Sequence, residues 1–235
     1  MNILLFGGNG ALASGIREYL APFGYGLGTA DIRPDTKNIE NYWSCDARSS
    51  SDIAKVLSEF SKSIGNVDAL VNLVGLIANK PFYNPMVTEK YIEEDYWQNM
   101  MDMNLNTAFI ISKEYHRYAT ARKIKCNMIN FSSVSSGGNR GQIAYSVAKA
   151  ALEGLTRNLA IELGPRGHRF NAVSPGYIDV SSTHQNVSAE KLNPITEKIS
   201  LRRLGDTESI GKTVKFILDT DYLNGQIIKV DGGFF

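Results

Sequence analysis

The sequence is poor in the residues that build metal and disulfide sites. Its 235 residues include only two cysteines, Cys45 and Cys126, with no CxxC pattern, and only three histidines. Structural zinc sites need closely spaced Cys and His ligands, so the sequence predicts no metal site. Both cysteines fall on or beside predicted strands, where small thiols are commonly buried, and we expect them to be inert core residues.

The sequence also lacks an excess of charge and any long hydrophobic run. A formal net charge of +1, without a basic cluster, gives no electrostatic footprint for nucleic acid. The most apolar stretch, residues 69–78, is about half of the roughly 20 residues that a membrane span needs. The first predicted strand begins at residue 2, with no cleavable apolar segment before it. These absences predict a cytoplasmic protein with neither a nucleic-acid nor a membrane partner.

Strands and helices are predicted to alternate along the chain, which is the signature of a parallel sheet covered on both faces. We find no repeat or linker that would mark a domain boundary, so we expect residues 1–235 to form one doubly wound Rossmann-type α/β domain with about seven parallel strands. Apolar runs predict strands at residues 2–6, 25–31, 41–45, 67–74, 128–131, 170–174 and 226–230. Helical patterns are found at residues 49–61, 88–101, 104–118, 145–163 and 206–218.

A glycine-rich turn follows the first predicted strand and precedes a helix. Gly8, Gly10 and Ala13 fit the G-x-G-x-x-G/A pattern, in which glycines let the backbone approach a dinucleotide pyrophosphate at the helix N-terminus. An ordinary tight turn would explain the glycines alone. It would not explain Asp31, which closes the second strand 21 residues beyond Gly10, near the spacing of a ribose-binding carboxylate. The pattern therefore predicts a dinucleotide site.

Polar residues and glycines recur at the carboxyl ends of the predicted strands, where open parallel sheets bind their ligands. Each of them could serve only as a turn former, but their convergence on one sheet edge favours a common ligand. The predicted cofactor-binding residues are Gly7, Gly8, Asn9, Gly10, Ala11, Leu12, Asp31, Asp46, Ala47, Asn72, Val74, Gly75, Tyr145, Lys149, Pro175, Gly176 and Ile178.

Tyr145 and Lys149 lie four residues apart on a predicted helix, so both side chains can enter one pocket. A free tyrosine has a pKa near ~10 and is a poor acid–base group at neutral pH. A neighbouring positive charge favours the phenolate, so we expect Lys149 to lower the pKa of Tyr145 toward the working range. With 11 tyrosines in the chain such a pair also arises by chance, and alone it proves nothing.

Several segments form a recognisable series in the second half of the chain. They are Asn130-Phe-Ser-Ser-Val, Tyr145-Ser-Val-Ala-Lys149, Asn171-Ala-Val-Ser-Pro-Gly176, Arg203-Leu-Gly-Asp and Gly225-Gln-Ile-Ile-Lys-Val-Asp-Gly-Gly233. With the glycine turn, they resemble the short-chain dehydrogenase/reductase family over essentially the whole length. The resemblance implies hydride transfer between a nicotinamide cofactor and a small carbonyl or secondary alcohol.

The resemblance also implies residue roles. Tyr145 would be the general acid or base, and Lys149 would lower its pKa and hold the nicotinamide ribose. Ser133 would orient the substrate oxygen. Ser132 stays an alternative, because the loop from Ser133 to Tyr145 is one residue shorter than is commonest in the family. Asn104 would hold a proton-relay water. The substrate and the direction of reaction stay open.

Departures from the family pattern concern the cofactor site. Leu12 and Ser14 stand where glycines are usual, similar to the variant phosphate loop of dihydropteridine-reductase-like members, and Val180 replaces a cofactor-contacting threonine. Asp31 favours NAD, because a carboxylate binds ribose hydroxyls and repels a 2′-phosphate, although nearby Arg33 keeps NADP as an alternative. A non-catalytic NAD(P)-sensing protein is therefore a second hypothesis. A sugar-nucleotide epimerase or dehydratase relative is a third, disfavoured by length.

The remaining expectations concern the surface. The polar segment 177–200 is expected to form a mobile lid over the substrate. Of the histidines, only His184 is placed to touch substrate. The resemblance implies a homodimer or homotetramer, for which the apolar stripe of the 145–163 helix and the terminal pair Phe234 and Phe235 are the suggested surfaces.

Overall fold

The computed structural model describes residues 1–36, 38–187 and 189–234, so Phe235 lies outside the described residues. In this part of the chain seven strands form one parallel sheet in the order β3-β2-β1-β4-β5-β6-β7. The predicted doubly wound Rossmann-type sheet is therefore confirmed. The strands are β1 (Asn2–Phe6), β2 (Gly26–Asp31), β3 (Tyr42–Ser44), β4 (Ala69–Asn72), β5 (Asn127–Phe131), β6 (Arg169–Pro175) and β7 (Ile227–Val230).

Helices cover both faces of the sheet. Alternate side chains of β1 point to opposite faces, so Leu4 and Phe6 pack in a core with α2, α4 and α5, whereas Ile3 and Leu5 pack in a second core with α1 and α8. The described helices are α1 (Ala11–Leu20), α2 (Ser50–Ser63), α3 (Glu94–Met101), α4 (Thr107–Arg122), α5 (Ile143–Leu163), α6 (Ser181–Asn186), α7 (Ala189–Lys198) and α8 (Thr207–Asp219). None of them is long and apolar enough to cross a membrane.

The predicted helix 88–101 is too long at its N-terminal end, because α3 begins only at Glu94. The residues before it fold back on themselves instead. Tyr83 and Tyr91 form an isolated antiparallel bridge, and their rings lie 5.2 Å apart. Backbone pairing and ring contact between these aromatic residues replace the helical hydrogen bonds that the local pattern favoured.

The predicted helix 104–118 also needs correction at both ends. A π-helical segment, Asp102–Asn106, precedes α4, which continues to Arg122 and ends where Lys123 adopts a left-handed conformation with φ +56°. Farther along the chain, segment 177–200 contains α6 and α7 rather than irregular structure. Whether this segment moves as a lid stays a prediction.

Cys45 and Cys126 are buried thiols, as expected, and burial raises the pKa of each to about 12.

Candidate active site

A cavity of about 670 Å³ runs along the carboxyl edge of the sheet. Its walls are the turns that follow β1 to β6, together with α5 and α6. The predicted cofactor residues in its lining are Gly7, Asn9, Gly10, Ala11, Leu12, Asp31, Asp46, Ala47, Val74, Gly75, Tyr145, Lys149, Pro175, Gly176 and Ile178. The predicted residues outside the lining are Gly8, Asn72 and Asn104.

The glycine turn is shaped by close packing of its backbone. Gly7 has φ +72°, and a side chain there would come within 2.8 Å of the Leu73 carbonyl carbon. Gly8 lies against β2, where an added methyl would overlap Thr29. Gly8 lies outside the cavity lining, because its missing side chain serves strand packing, and its predicted contact with cofactor stays a prediction. Gly10 begins α1 without a side-chain cap, so this helix N-terminus keeps the free N–H groups that bind anions.

Arg17, which the sequence analysis did not single out, braces this turn from inside α1. Its guanidinium donates to the Gly8 carbonyl oxygen and, at 3.2 Å, to Ser14 Oγ. Two donors from one rigid group fix the turn relative to the helix. Arg17 lies about two turns into the first helix. From the sequence alone, an arginine at that position cannot be told from one on the helix surface.

Asp31 ends β2 as a buried carboxylate that accepts hydrogen bonds from its neighbours. It accepts hydrogen bonds from the Asn9 amide at 2.9 Å and from the Arg33 amide and guanidinium at 2.8–3.1 Å. Burial alone would raise the pKa of Asp31, but the hydrogen bonds from Arg33 and the Asn9 amide outweigh it and hold the pKa below its ordinary value. Arg33 is thus a direct partner of the predicted ribose-binding carboxylate.

A similar pair follows β3. The Asp46 carboxylate accepts two hydrogen bonds from the Arg48 guanidinium, at 2.9 Å from Nε and 2.6 Å from Nη2, and these lower the pKa of Asp46. Arg48 lines the cavity although the sequence analysis missed it. The signal was present as a repeated spacing, since both strand-end aspartates have an arginine two residues later.

Tyr145 and Lys149 are buried on one face of α5, as their spacing predicted. The Lys149 Nζ lies 5.6 Å from the centre of the Tyr145 ring and donates to the Phe131 carbonyl oxygen at 2.8 Å. Burial raises the pKa of Tyr145 to about 12, against a partial lowering by the Ser133 hydrogen bond, and burial lowers the pKa of Lys149 to about 8. The predicted lowering of the Tyr145 pKa is therefore wrong in this structure, because desolvation dominates.

The two serines after β5 face different partners. Ser132 Oγ donates to the Glu153 carboxylate at 2.7 Å, which turns it toward the middle of α5. Ser133 is hydrogen-bonded to Tyr145, and its Oγ accepts from the Ser135 amide at 3.1 Å. Of the two hydroxyls, Ser133 is the one placed to meet a ligand oxygen beside the Tyr145 phenol.

Asn104 lies in the π-helical segment and is completely buried. Its carboxamide accepts from the Leu76 amide and donates to the carbonyl oxygens of Leu76 and Met100, each at 3.0 Å. A side chain at Gly75 would lie 2.8 Å from Asn104 Oδ1 and 3.2 Å from Lys149 Nζ. The bare Gly75 therefore leaves space between the lysine and Asn104. Asn104 borders this space without lining the large cavity.

Asn72 supports the site from outside the cavity lining, and its predicted contact with cofactor stays a prediction. Its Nδ2 donates to Asn130 Oδ1 at 3.0 Å, and its Oδ1 accepts from the Val74 amide at 3.1 Å. A buried carboxamide needs such partners, and here they bend the chain at the end of β4. His184 likewise lies outside the lining and contacts Asp179 at 2.7 Å. Further lining residues that the sequence did not indicate include Leu76, Ile77, Met103, Thr107, Thr183, Gln185 and Asn186.

Known proteins resemble this chain in sequence and in fold. A family model described as Enoyl-(Acyl carrier protein) reductase matches residues 28–235. The 3-oxoacyl-[acyl-carrier-protein] reductase FabG of Buchnera aphidicola subsp. Baizongia pistaciae is 32% identical, over 99% of this chain and 96% of that protein. Acetoacetyl-CoA reductase of Allochromatium vinosum is 30% identical, over 82% and 76%. A short-chain type dehydrogenase/reductase structure from Mycobacterium ulcerans shares the fold with a TM-score of 0.86 and 24% identity, over 99% and 88%.

Proposed function

The chain belongs to the short-chain dehydrogenase/reductase family and is an NAD(P)-dependent oxidoreductase; from this premise we propose that residues 1–235 form one domain that reduces the ketone of a small carbonyl compound. The observation that carries the proposal is the placement of Tyr145, Ser133 and Lys149 together on the wall of the cavity whose other end holds the glycine turn. Since its relatives are named for 3-oxoacyl thioesters, we propose such thioesters as substrates.

The residues around the cavity fit a dinucleotide. The bare N-terminus of α1 would hold the pyrophosphate, Asp31 would hold the adenosine ribose, and Lys149 would hold the nicotinamide ribose. When bound, the nicotinamide supplies or accepts the hydride. A volume of about 670 Å³ also lies in the range of roughly 300–1,000 Å³ typical of ligand pockets. We propose NAD as the preferred cofactor, with Asp31 as the reason.

In the direction of reduction, Tyr145 is the group that would donate the proton. With a pKa of about 12, Tyr145 keeps its proton at neutral pH and can donate it to a carbonyl oxygen. The Ser133 hydroxyl would donate to the same oxygen and stabilise its developing charge. Lys149, with a pKa of about 8, can return a proton to Tyr145, and Asn104 would hold the relay water beside it.

Replacing Tyr145 by Phe tests this assignment. We expect kcat for acetoacetyl-CoA reduction to fall by about 10²- to 10⁴-fold, because the proton donor is lost while the ring that packs in the wall is kept. NADH binding, measured by fluorescence titration, should stay nearly unchanged. Tyr222→Phe, at a fully exposed tyrosine, is the matched control. Wild-type turnover in Tyr145→Phe would contradict the assignment. Tight cofactor binding by the wild type, without NADH oxidation on any carbonyl compound, would support the cofactor-sensing alternative.

Replacing Asp31 by Ser tests the cofactor preference. The carboxylate should favour NADH in the wild type, because it can accept hydrogen bonds from ribose hydroxyls. Its removal also frees the Arg33 guanidinium, which now pairs with it at 2.8 Å, to pair with a 2′-phosphate. We expect the Kd for NADH to rise and the Kd for NADPH to fall, so that their ratio changes by at least about 10-fold, equal to 1.4 kcal/mol. A wild type that binds NADPH more tightly would contradict the proposal.

A further inference from the structure

A continuous series of hydrogen bonds leads away from the Tyr145 phenol along the N-terminal end of α5. Tyr145 is hydrogen-bonded to Ser133, whose Oγ accepts from the Ser135 amide at 3.1 Å. The Ser135 hydroxyl in turn donates to Gln142 Oε1 at 2.8 Å. Gln142 stands three residues before Tyr145, which is about one helical turn, and it is the N-cap residue that immediately precedes α5. The segment 133–135 therefore connects Gln142 to the two groups that are proposed to hold the substrate oxygen.

The series continues to Asn79, which lies in the segment after β4. Gln142 Nε2 donates to Asn79 Oδ1 at 2.7 Å, and Asn79 Nδ2 donates to the Asn186 carbonyl oxygen at 3.2 Å. A carbonyl oxygen only accepts, so Asn186 fixes which end of the Asn79 carboxamide faces it. Asn79 then fixes the orientation of Gln142 in the same way. One exposed carboxamide thus joins three segments that surround the cavity.

The far end of this series is a wall of the active-site cavity. Asn186 is the last residue of α6, and it lines the cavity together with Ser181, Ser182 and Thr183. The α6 helix has only six residues and contributes no buried residue to the core, so packing holds it weakly. A side-chain hydrogen bond to its last turn is therefore a significant restraint on where this wall lies.

We propose that Asn79 and Gln142 are positioning residues that couple the placement of α6 to the orientation of Ser133 and Tyr145. The proposal rests on the proposed roles of these last two residues. Neither carboxamide touches the reacting atoms; each acts through its neighbour in the series. When Asn79 releases Asn186, α6 loses this restraint, and the carboxamide of Asn79 is no longer held in the orientation that accepts from Gln142. Gln142 then keeps only the partners on its Oε1, which are the Ser135 hydroxyl at 2.8 Å and Asn139 Nδ2 at 3.0 Å. Small displacements of a reacting group are sufficient to slow chemistry strongly, by about 10²-fold for 1 Å.

Single substitutions can break the series at one known place. Asn79→Asp keeps the oxygen that accepts from Gln142 but presents a second oxygen to the Asn186 carbonyl, so it breaks only the link to α6. Gln142→Glu keeps the oxygen that accepts from Ser135 but removes the donor to Asn79. Asn84→Ala is the matched control. It removes a carboxamide of the same segment, one that bonds to the Met86 amide and not to α5 or α6.

Steady-state kinetics with acetoacetyl-CoA and NADH test the coupling. We expect each variant to lower kcat about 10-fold, with the Kd for NADH changed less than about 2-fold, and Asn84→Ala to match the wild type. Because the links act in series, the double variant Asn79→Asp/Gln142→Glu should be no slower than the slower single variant. Multiplicative effects of the two substitutions, or wild-type kcat in both, would overturn the proposal.

Hydrogen exchange gives a readout that does not depend on turnover. The Val187 amide donates to the Thr183 carbonyl oxygen at the end of α6, and we expect Asn79→Asp to speed its exchange at least about 5-fold while the β5 amides are unchanged. Unchanged α6 exchange would overturn the coupling. A wild type that reduces no carbonyl compound would count against the proposed function instead, and the exchange result would still decide whether Asn79 restrains α6.

Discussion

Lys149 is the residue at which burial and chemistry oppose each other most directly. Its ammonium lies beneath the site with only 4% of the residue exposed, and the Phe131 carbonyl oxygen at 2.8 Å is its hydrogen-bond acceptor. No carboxylate among the described residues pairs with it. An unpaired buried charge is costly, and the lowered pKa of about 8 expresses that cost. A role in proton return gives a reason to keep such a group in the core.

The cost should appear in the pH dependence of stability. Below pH 8 the lysine is protonated in both the folded and the unfolded chain, and the penalty is fully present. Between about pH 8 and its ordinary pKa of 10.5, the unfolded chain binds the proton more tightly, so stability rises with pH. We expect the free energy of unfolding of the wild type, relative to Lys149→Met, to rise by about 3 kcal/mol across this window.

Urea denaturation at several pH values between 7 and 10.5 measures this difference. Tyr145, whose pKa is raised to about 12, contributes the opposite slope above pH 10, but it is present in both proteins and cancels. A constant difference across the range would show that the folded lysine keeps its ordinary pKa.

The spacing of Tyr145 and Lys149 was sufficient to predict from the sequence alone that they share a pocket. Their burial depends on the packing of α5 against the sheet, so the direction of the Tyr145 shift could not be read from the spacing.

At the scale of elements, α1 and α8 pack through a reciprocal fit of small and large residues. Gly15 of α1 faces Thr207 of α8, and one turn farther along Tyr19 of α1 faces Gly211 of α8. An added methyl at Gly211 would stand 2.6 Å from the Tyr19 Cβ, closer than real contacts allow. The two glycines set how closely the helices approach, and they hold α1 where its N-terminus meets the glycine turn.

Gly15→Ala should therefore destabilise the protein against the trend of helix propensity. In a free helix the change would add about 1 kcal/mol of stability. Here the methyl would overlap the Thr207 side chain, and overpacking of this kind costs about 1–3 kcal/mol. We expect a net loss of about 1 kcal/mol or more, measured as a lower denaturation midpoint with an unchanged m-value. A higher midpoint would show that the helices separate without cost.

The elements themselves differ in how well the sequence predicted them. Strands such as β1 and β5 are buried apolar runs, so their local pattern and their tertiary environment agree. The helix prediction for the region before α3 is wrong because Tyr83 and Tyr91 pair across a turn that no local sequence pattern indicates. The predicted start of the next helix missed the π-helical segment for a related reason. There Asn104 is hydrogen-bonded to Leu76, which lies 28 residues away in the sequence. In both regions, contacts between residues far apart in the sequence determine the local structure. The same two regions adjoin the candidate site.

At the scale of the whole molecule, the strand order follows from the alternation that the sequence predicted. Successive parallel strands are laid on one side of β1 and then on the other, and the reversal between β1 and β4 places the glycine turn at the crevice. The alternation of strands and helices does not determine how copies of the chain assemble. Of the predicted contact stripe of α5, Ala148 and Leu152 are buried in their own chain, whereas Ala151, Leu155 and Leu159 are half-buried.

A different face of α5 is available to a second copy. Val147 and Ile161 are 41% and 73% exposed, and Gly154 lies midway between them at seven-residue spacing with nothing within 4 Å of an added methyl. Phe109 on the neighbouring α4 is 52% exposed. Apolar side chains around a bare glycine allow close helix approach, and we propose that this face, together with Phe109, forms the contact of the homodimer or homotetramer implied by the family resemblance.

Sedimentation equilibrium of Ile161→Lys tests this contact. A charge placed in an apolar interface loses hydration without gaining a partner, so we expect the variant to shift from the assembled state to the 25.9 kDa monomer. Met86→Lys, at a residue 87% exposed on the segment before α3, should assemble like the wild type. Gly154→Ala further distinguishes a helix face in contact with a second copy from a face open to solvent. On an open helix surface the methyl should raise stability by about 1 kcal/mol, whereas in a close helix contact it should weaken assembly. A monomeric wild type, with Gly154→Ala more stable, would contradict the proposed contact.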